Sequence, residues 1–235
     1  MSEHVDVVVV GMGPGGEDVA SRLADSGLDV VGIDGRLLGG ECPYWGCVPS
    51  KMMLRAAGLL AEARRIPQMA GEVSVTPDWA PVARRIREAT DNWDDRVAVE
   101  RFESKGGRFL RGWARLGGPG RVVVGDRELE AGRAVVIASG TQPWAPPLPG
   151  LAEGGYWTNR EAIETERVPS SLLVLGGGAI GVELAQVFAR FGSRVTVVGR
   201  FRKGTRVLIR RGGKKERVDE SPTDELWKLV DARGT

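Results

Sequence analysis

The order of apolar and polar positions predicts a strand–helix–strand unit at the start of the chain. Residues 5–10 form a β-branched run, which is typical of a strand buried on both faces. After a glycine-rich turn, residues 17–26 place apolar side chains at helical spacing, and Gly27 is the predicted stop. A second strand over residues 28–33 leads to Asp34. Parallel strands joined by a helix predict an α/β fold.

The same order of elements recurs about 165 residues later along the chain. Residues 172–175 are predicted to form a strand, residues 176–181 a glycine turn, residues 182–191 a helix and residues 194–198 the next strand. The repeat predicts a second unit of the same kind.

The region between the two units predicts helices followed by an antiparallel meander. The predicted helices cover residues 50–66 and 78–104, and the predicted strands cover residues 108–116, 121–124, 127–129 and 134–138. Four prolines in residues 142–150 indicate an extended linker. The predicted domains are residues 1–150 and 151–198, followed by a divergent segment, residues 199–235.

Net charge and hydropathy limit the kinds of partner that the chain is expected to bind. The chain has 33 Lys and Arg against 31 Asp and Glu, so its net charge of +2 gives no general reason to expect nucleic acid. Residues 199–217 are locally basic but lack interleaved aromatic residues, and a short helix is predicted over residues 226–230. We find neither a membrane-length apolar run nor a secretory signal. These features predict a soluble, cytoplasmic protein without nucleic-acid or membrane partners.

Glycine is abundant, at 34 of 235 residues, and the first turn has a pattern with a defined use. Its first glycine permits the tight turn, its second lets the backbone approach a pyrophosphate, and its third lets the helix pack closely on the strand. The acid at the end of the second strand is placed to accept hydrogen bonds from a ribose. The predicted dinucleotide-binding residues are Gly11, Gly13, Pro14, Gly15, Gly16 and Asp34.

The second turn repeats this pattern without the acid. Its predicted nucleotide-binding residues are Gly176, Gly178, Ala179, Ile180 and Gly181. Arg200 follows the second strand of this unit. An arginine there can pair with a 2′-phosphate, which indicates NADPH, or it can simply begin the basic segment. Both interpretations stay open.

The two cysteines of the chain, Cys42 and Cys47, stand five residues apart. With the single histidine, His4, they cannot supply the four ligands of a zinc site, so no metal is predicted. Two inert thiols are possible, but so close a pair is more often redox-active. Cys47 begins a predicted helix with Lys51 nearby, and both features are expected to lower the pKa of its thiol. A reversible disulfide is the favoured interpretation.

Three segments together resemble the class I pyridine nucleotide-disulfide oxidoreductases, a flavoprotein family that includes dihydrolipoamide dehydrogenase, mercuric reductase and glutathione reductase. The first is Gly-Gly-x-Cys-x-x-x-Gly-Cys-x-Pro-Ser-Lys at residues 39–51, after a unit that ends in an acid. The second is Ala-Ser-Gly-Thr at residues 138–141, and the third is the turn at residues 176–183. The resemblance covers residues 5–198.

The resemblance implies an FAD-binding, Rossmann-like three-layer domain with an antiparallel meander, and the start of a second Rossmann-like domain that binds NAD(P)H. The first glycine turn would bind FAD, and the second would bind NAD(P)H. Hydride would pass from NAD(P)H to FAD, and electrons would then reduce the disulfide and reach a small-molecule or protein disulfide acceptor. Further residues implied at the FAD site are Gly39, Gly40, Cys42, Lys51, Ala114, Ser139 and Gly140.

Individual roles follow from the same resemblance. Cys47 would be the charge-transfer thiol that faces the flavin, and Cys42 the interchange thiol that attacks the acceptor. Lys51 would lie near the flavin and pair with Glu183 across domains. The backbone near Ala114 would contact the adenine.

The chain also departs from the family pattern. Family members are longer, and the resemblance implies a homodimer whose dimerisation domain, with its His–Glu pair, is absent here. Residues 199–235 suggest either a frameshift or a divergent basic hairpin and helix. The bulky residues 43–45 between the cysteines leave the acceptor undefined; they can pack or stack on substrate. We therefore expect a truncated family member with impaired turnover. The alternative is a non-catalytic fragment that binds FAD and NAD(P)H.

Overall fold

The computed structural model describes the backbone of residues 2–201, 208–211, 214–217 and 226–231, and the side chains of residues 2–198. The described strands are β1 (Glu3–Val10), β2 (Val30–Asp34), β3 (Arg108–Arg111), β4 (Ala114–Gly118), β5 (Arg121–Val124), β6 (Arg127–Ile137), β7 (Ser171–Leu175), β8 (Arg194–Phe201), β9 (Leu208–Arg211), β10 (Lys214–Arg217) and β11 (Leu226–Asp231). The described α-helices are α1 (Pro14–Asp25), α2 (Glu41–Tyr44), α3 (Cys47–Ala63), α4 (Ala80–Ala89), α5 (Arg96–Glu103), α6 (Leu151–Gly154), α7 (Asn159–Glu164) and α8 (Ala179–Arg190), and two short 3-10 helices cover Ile66–Gln68 and Asp91–Trp93.

The chain divides into two compact units. The first contains Met1–Pro49 and Arg87–Tyr156, and the second contains Ser50–Ile86 and Trp157–Thr235. The predicted domain bounds of 1–150 and 151–198 stay a prediction.

The first unit is built on a six-stranded sheet in the order β3-β2-β1-β6-β5-β4. Strands β3, β2, β1 and β6 are parallel, whereas β4 and β5 continue the sheet as an antiparallel meander. Helix α1 connects β1 to β2, as the opening pattern predicts. This mixed sheet with its crossover helix confirms the α/β prediction.

Both faces of β1 are buried, which explains its unbroken valine run. One face packs Val7 and Val9 against a cluster that includes Phe102 of α5. The other face packs Val8 against a cluster with residues of β5 and β6, such as Val122. A strand covered on two sides cannot alternate polar and apolar residues.

The predicted single helix over residues 78–104 is wrong. Helix α4 ends at Ala89, and α5 begins only at Arg96. Between them, three consecutive non-glycine residues, Asp91, Asn92 and Trp93, have φ values of 49°, 52° and 58°. A left-handed backbone breaks the helical hydrogen-bond ladder, which is why the helix divides here.

The predicted strand over residues 108–116 is also divided in the structure. It bends at Gly112, so that β3 extends the parallel part of the sheet while β4 pairs antiparallel with β5. The Gly112 N–H donates to the Asp34 carbonyl at 2.9 Å, and a Cβ on Gly112 would lie 2.5 Å from Val124. The two predicted strands at 127–129 and 134–138 instead form one continuous strand, β6, because it pairs with β5 at its start and with β1 along most of its length.

The second unit repeats the strand–helix–strand order with β7, α8 and β8. Strands β7 and β8 are parallel, and α8 connects them. The indole ring of Trp79 packs 5.5 Å from the ring of Phe188 and 5.0 Å from that of Phe191, and its N–H donates to the Thr165 carbonyl at 2.9 Å. Aromatic packing thus holds the segment before α4 against the end of α8.

The C-terminal prediction is wrong in part. Residues 226–230 are predicted as a helix, but they belong to β11, which pairs antiparallel with β8. A short apolar run is compatible with either a helix or a strand. Here the run forms a strand because it pairs with the edge of β8. In the basic segment, β9 and β10 form an antiparallel hairpin, which agrees with the hairpin interpretation. The frameshift alternative stays a hypothesis, and residues 202–207, 212–213, 218–225 and 232–235 lie outside the described residues.

Within the described part of the chain, no helix combines the length and the apolar character that a membrane crossing requires.

The first turn generates a stability prediction. A Cβ on Gly16 would lie 1.9 Å from the Gly11 carbonyl oxygen, whereas a Cβ on Gly15 meets nothing within 4 Å. We expect Gly16→Ala to lower the free energy of unfolding by about 1–3 kcal/mol, because backbone must move to admit the methyl group. Urea unfolding measures the change. The matched control is Gly15→Ala, and an equal loss in both variants would contradict the packing argument.

Candidate active site

Three backbone segments meet at the first glycine turn. Gly11 has a φ of +94°, and a Cβ there would lie 2.2 Å from the Ala138 carbonyl oxygen at the end of β6. Its N–H donates to the Ile33 carbonyl of β2 at 2.8 Å. Gly16 brings the start of α1 against the Gly11 carbonyl. The turn is therefore fixed by backbone contacts that no other residue type permits.

The turn leaves free space in front of α1. A Cβ on Gly13 or on Gly15 would meet no heavy atom within 4 Å. Gly13 is the N-cap of α1 and supplies no side-chain cap, while Pro14 follows at the first helical position. The N–H groups and the positive end of the helix dipole thus face this space. These residues fit a pyrophosphate.

The Asp34 carboxylate is fixed beside the same turn. Its Oδ2 accepts a hydrogen bond from the Met12 N–H at 2.8 Å, and its Oδ1 accepts one from the Arg36 N–H at 2.8 Å. Each carboxylate oxygen can accept a further bond. The side chain therefore fits the predicted ribose contact.

The second turn reproduces this geometry. The Gly176 N–H donates to the Val198 carbonyl at 2.7 Å, and the Gly176 φ is +110°. A Cβ on Gly181 would lie 2.7 Å from the Gly176 carbonyl oxygen, whereas one on Gly178 would meet nothing within 4 Å. Gly178 caps α8 without a side-chain bond.

Other predicted residues of the second turn lie on its helix and strand. Ala179 and Ile180 form the first turn of α8, with Ile180 exposed. Arg200 lies in β8, but its side chain is outside the described residues, so the choice between NADH and NADPH stays open.

The cysteine segment is fastened to the first turn by two glycines. Gly39 and Gly40 have φ values of +106° and +66°. The Gly39 N–H donates to the Met12 carbonyl at 2.7 Å, and a Cβ on Gly40 would lie 2.7 Å from the Gly13 Cα. Helix α2, which carries Cys42, begins directly afterwards. The structure therefore places the cysteine segment beside the glycine turn.

The two thiols are free, and the Cys47 side chain influences the pKa of Cys42. Cys42 is half-buried, whereas Cys47 is exposed at the start of α3. The sulfur–sulfur hydrogen bond raises the pKa of the Cys42 thiol, and burial raises it further; the Cys47 N–H, which donates to the Cys42 sulfur, acts in the opposite direction. Loss of two electrons and two protons would join these sulfurs as a disulfide.

The bulky residues between the cysteines pack into the protein. Tyr44 and Trp45 are only 6% and 8% exposed, with ring centroids 5.8 Å apart. Burial, followed by the nearby Asp95 carboxylate, raises the pKa of Tyr44 to about 12. This burial agrees with packing and gives no support to a substrate-stacking role.

Lys51 and Glu183 form the predicted ion pair. The Lys51 ammonium lies 2.6 Å from both oxygens of the Glu183 carboxylate, and both residues belong to the second unit. In the first copy of the turn, the position that corresponds to Glu183 is held by Asp18, which pairs with Arg22 at 3.0 Å. The two copies therefore use the same helical position for different contacts.

The remaining predicted residues lie on the meander and at the end of β6. Ala114 begins β4 opposite Val124. Ser139 and Gly140 are exposed and follow β6, and the Ser139 N–H lies beside Gly11, 2.8 Å from where a Cβ on that glycine would be. Their predicted contacts with FAD stay predictions.

Sequence reasoning missed two acids that reach the site from other elements. Asp95 binds the backbone of the cysteine segment at Leu38, and Glu17 of α1 forms an ion pair with Arg101 of α5 at 2.5 Å. Neither contact leaves a local signal, because the partners are 57 and 84 residues apart.

Comparison with known proteins identifies the family of this chain. The family model "Pyridine nucleotide-disulphide oxidoreductase" matches residues 5–213. The chain belongs to this family. The match includes both glycine turns and the cysteine pair, and it extends into the basic segment. FAD and NAD(P)H are the cofactors of the family.

Individual relatives of the family are similar along most of this chain. "Dihydrolipoyl dehydrogenase 3" of Pseudomonas aeruginosa is 36% identical over 92% of the chain and 53% of its own length. "Mercuric reductase" of Acidithiobacillus ferrooxidans is 34% identical over 84% of the chain and 38% of its own length. The chain thus spans about half the length, or less, of these curated relatives.

A solved structure shows the same fold. The HOCl-induced flavoprotein disulfide reductase RclA from Escherichia coli matches with a TM-score of 0.69 and 26% identity, over 82% of this chain and 41% of its own. The pyridine nucleotide-disulphide oxidoreductase fold is therefore shared at the level of structure as well as sequence.

The thiol geometry generates a reactivity prediction. At pH 8 we expect iodoacetamide to modify Cys47 faster than Cys42, because Cys42 is half-buried and its thiol pKa is raised. Cys47→Ala removes the sulfur–sulfur hydrogen bond but keeps the backbone donor, so the pKa of Cys42 should fall and its alkylation should accelerate. Peptide mass spectrometry follows each site. Cys42 reacting equally fast in both proteins would refute the assigned hydrogen bond.

Proposed function

We propose that this chain acts as an FAD-dependent NAD(P)H:disulfide oxidoreductase. The carrying observation is that the cysteine segment is fastened to the first glycine turn. The Gly39 N–H binds the Met12 carbonyl, and Gly40 packs on Gly13, so the thiol pair lies beside the space that fits a dinucleotide.

The first turn would hold FAD. The N-terminus of α1 offers N–H groups and positive partial charge to the pyrophosphate in front of Gly13 and Gly15. Asp34 would accept hydrogen bonds from a ribose, and its two backbone donors fix the carboxylate for that contact. These residues bind and orient the cofactor rather than react.

The second turn would hold NAD(P)H in the same manner. Gly178 leaves equivalent space in front of α8. Glu183 of α8 holds the Lys51 ammonium group through the 2.6 Å ion pair. This pair is largely exposed, so its contribution to stability is small, on the order of 0–1 kcal/mol.

When bound, FAD accepts a hydride from NAD(P)H and delivers two electrons to a disulfide. The Cys42–Cys47 disulfide would take up those electrons with two protons and become two thiols. The Cys42 thiolate would then attack one sulfur of the acceptor disulfide and release its other sulfur as a thiolate. Cys47 would attack Cys42 in the resulting mixed disulfide, which releases the second thiol and restores the disulfide.

One observation favours the alternative of a dinucleotide-binding chain with little turnover. The single histidine, His4, is exposed on β1 beside Glu130, at 3.5 Å. No histidine of this sequence can therefore act as acid–base within the cysteine segment. Because such assistance typically contributes about 10²–10⁴-fold, we expect slow turnover of disulfide acceptors by the chain alone.

Two substitutions at equivalent N-cap positions test the cofactor assignment. Gly13→Asp and Gly178→Asp should each cap a helix well, because aspartate is a favoured N-cap residue. The added carboxylate would repel a pyrophosphate, so Gly13→Asp should weaken FAD binding by about tenfold or more, and Gly178→Asp should do the same for NAD(P)H. Fluorescence titration with each cofactor measures both.

Each variant is the matched control for the other. Gly13→Asp should leave NAD(P)H binding unchanged, and Gly178→Asp should leave FAD binding unchanged. Equal losses for both cofactors in one variant would point to misfolding. A wild-type chain that binds neither FAD nor NAD(P)H would refute the proposed function, whereas binding without NAD(P)H oxidation by disulfides would favour the non-catalytic alternative.

A further inference from the structure

The segment between Asp34 and Cys42 is held by side chains from distant parts of the first unit. The Asp95 Oδ2 accepts a hydrogen bond from the Leu38 N–H at 2.6 Å. Arg111 donates from Nη1 to the Arg36 carbonyl. Leu38 itself is fully buried in the core cluster beside α1 and α5. Backbone donor and acceptor groups of this segment are thus bound on both sides of Leu37.

Asp95 and Arg111 also bind each other. The Arg111 Nη2 lies 2.7 Å from both oxygens of the Asp95 carboxylate, which is only 8% exposed. A buried carboxylate requires such partners, since removing one partner of a buried charge pair is strongly unfavourable. The pair therefore fixes the end of β3, the start of α5 and the cysteine segment in one arrangement.

The left-handed segment before α5 makes a further contact with the cysteine segment. The Trp93 indole N–H donates to the Tyr44 carbonyl at 3.3 Å, two residues after Cys42. Trp93 is one of the three consecutive residues with left-handed backbone before α5. For residues other than glycine, that conformation costs about 1–2 kcal/mol each. Strain of this kind persists where surrounding contacts determine it, and it concentrates at functional positions.

We infer that Asp95 and Arg111 are positioning residues for the Cys42–Cys47 pair. They fix the segment that carries Cys42, and so they hold its sulfur within reach of the Cys47 sulfur and beside the first glycine turn. The inference rests on the proposed function, because it assigns these two residues to the redox pair of that site. Asp95 and Arg111 bind the backbone at Leu38 and Arg36, and through these contacts they determine the position of Cys42.

A neighbouring arginine on the same strand as Arg111 provides the matched control. Arg108, three residues before Arg111 on β3, binds the carboxylates of Glu3 and Asp29. These partners lie on β1 and immediately before β2, so these contacts do not involve the cysteine segment. Loss of Arg108 therefore removes an arginine–carboxylate network of the same sheet without releasing Leu38 or Arg36.

The equilibrium between the dithiol and the disulfide tests the inference without cofactors. The protein is incubated in buffers of reduced and oxidised dithiothreitol, where the Cys42 and Cys47 thiols lose two electrons and two protons to the dithiothreitol disulfide. The fractions of protein in the dithiol and disulfide forms, trapped at equilibrium, give the effective concentration of one cysteine thiol with respect to the other. We expect Asp95→Asn to lower it by about tenfold or more, because an amide cannot accept all three hydrogen bonds.

Arg111→Lys keeps the charge but has one nitrogen where arginine uses two, so it cannot bind both the Asp95 carboxylate and the Arg36 carbonyl as Arg111 does, and we expect a smaller decrease. Arg108→Met should leave the effective concentration unchanged. Urea unfolding is measured in parallel, and Arg111→Lys carries the test if Asp95→Asn does not fold. Variants that lose stability but keep the wild-type equilibrium would overturn the inference alone. A wild-type chain that forms no Cys42–Cys47 disulfide would instead overturn the proposed function on which the inference rests.

Discussion

The close approach of backbone segments at the first glycine turn is the constraint on which the rest of this structure depends. Gly11 lies against the end of β6, Gly16 lies against Gly11, and Gly40 lies against Gly13, at separations that a Cβ would make impossible. Because backbone meets backbone directly, the start of α1 is left open toward a ligand, and the cysteine segment begins beside it. The open start of α1 and the cysteine segment thus share one turn.

Charged side chains add hydrogen bonds to the backbone contacts that the glycines permit. Asp34 binds the turn at Met12, while Asp95 and Arg111 bind the segment that follows Asp34. Backbone contacts determine where this segment starts, but a chain of several residues could still adopt other paths to Cys42. The buried ion pair selects one path, at the cost of removing a carboxylate from water.

The two units share one turn geometry. Gly11 and Gly176 make the same hydrogen bond to the neighbouring strand, and Gly13 and Gly178 leave the same space before a helix. The first copy adds an acid and a thiol pair, whereas the second adds Glu183, which holds Lys51. The two copies of the turn therefore differ in the groups attached to them.

The sequence alone determined the parts of this protein whose physics is local. A glycine turn between a β-branched strand and a helix has the same local geometry wherever it occurs, and two cysteines five residues apart stay close together, so both glycine turns and the neighbouring thiols were predictable. Tertiary structure decided the left-handed break before α5, the pairing of β11 with β8, and the binding of Asp95 to Leu38. These features depend on partners far away in the chain, and a local pattern carries no information about which distant strand edge or backbone amide will be near.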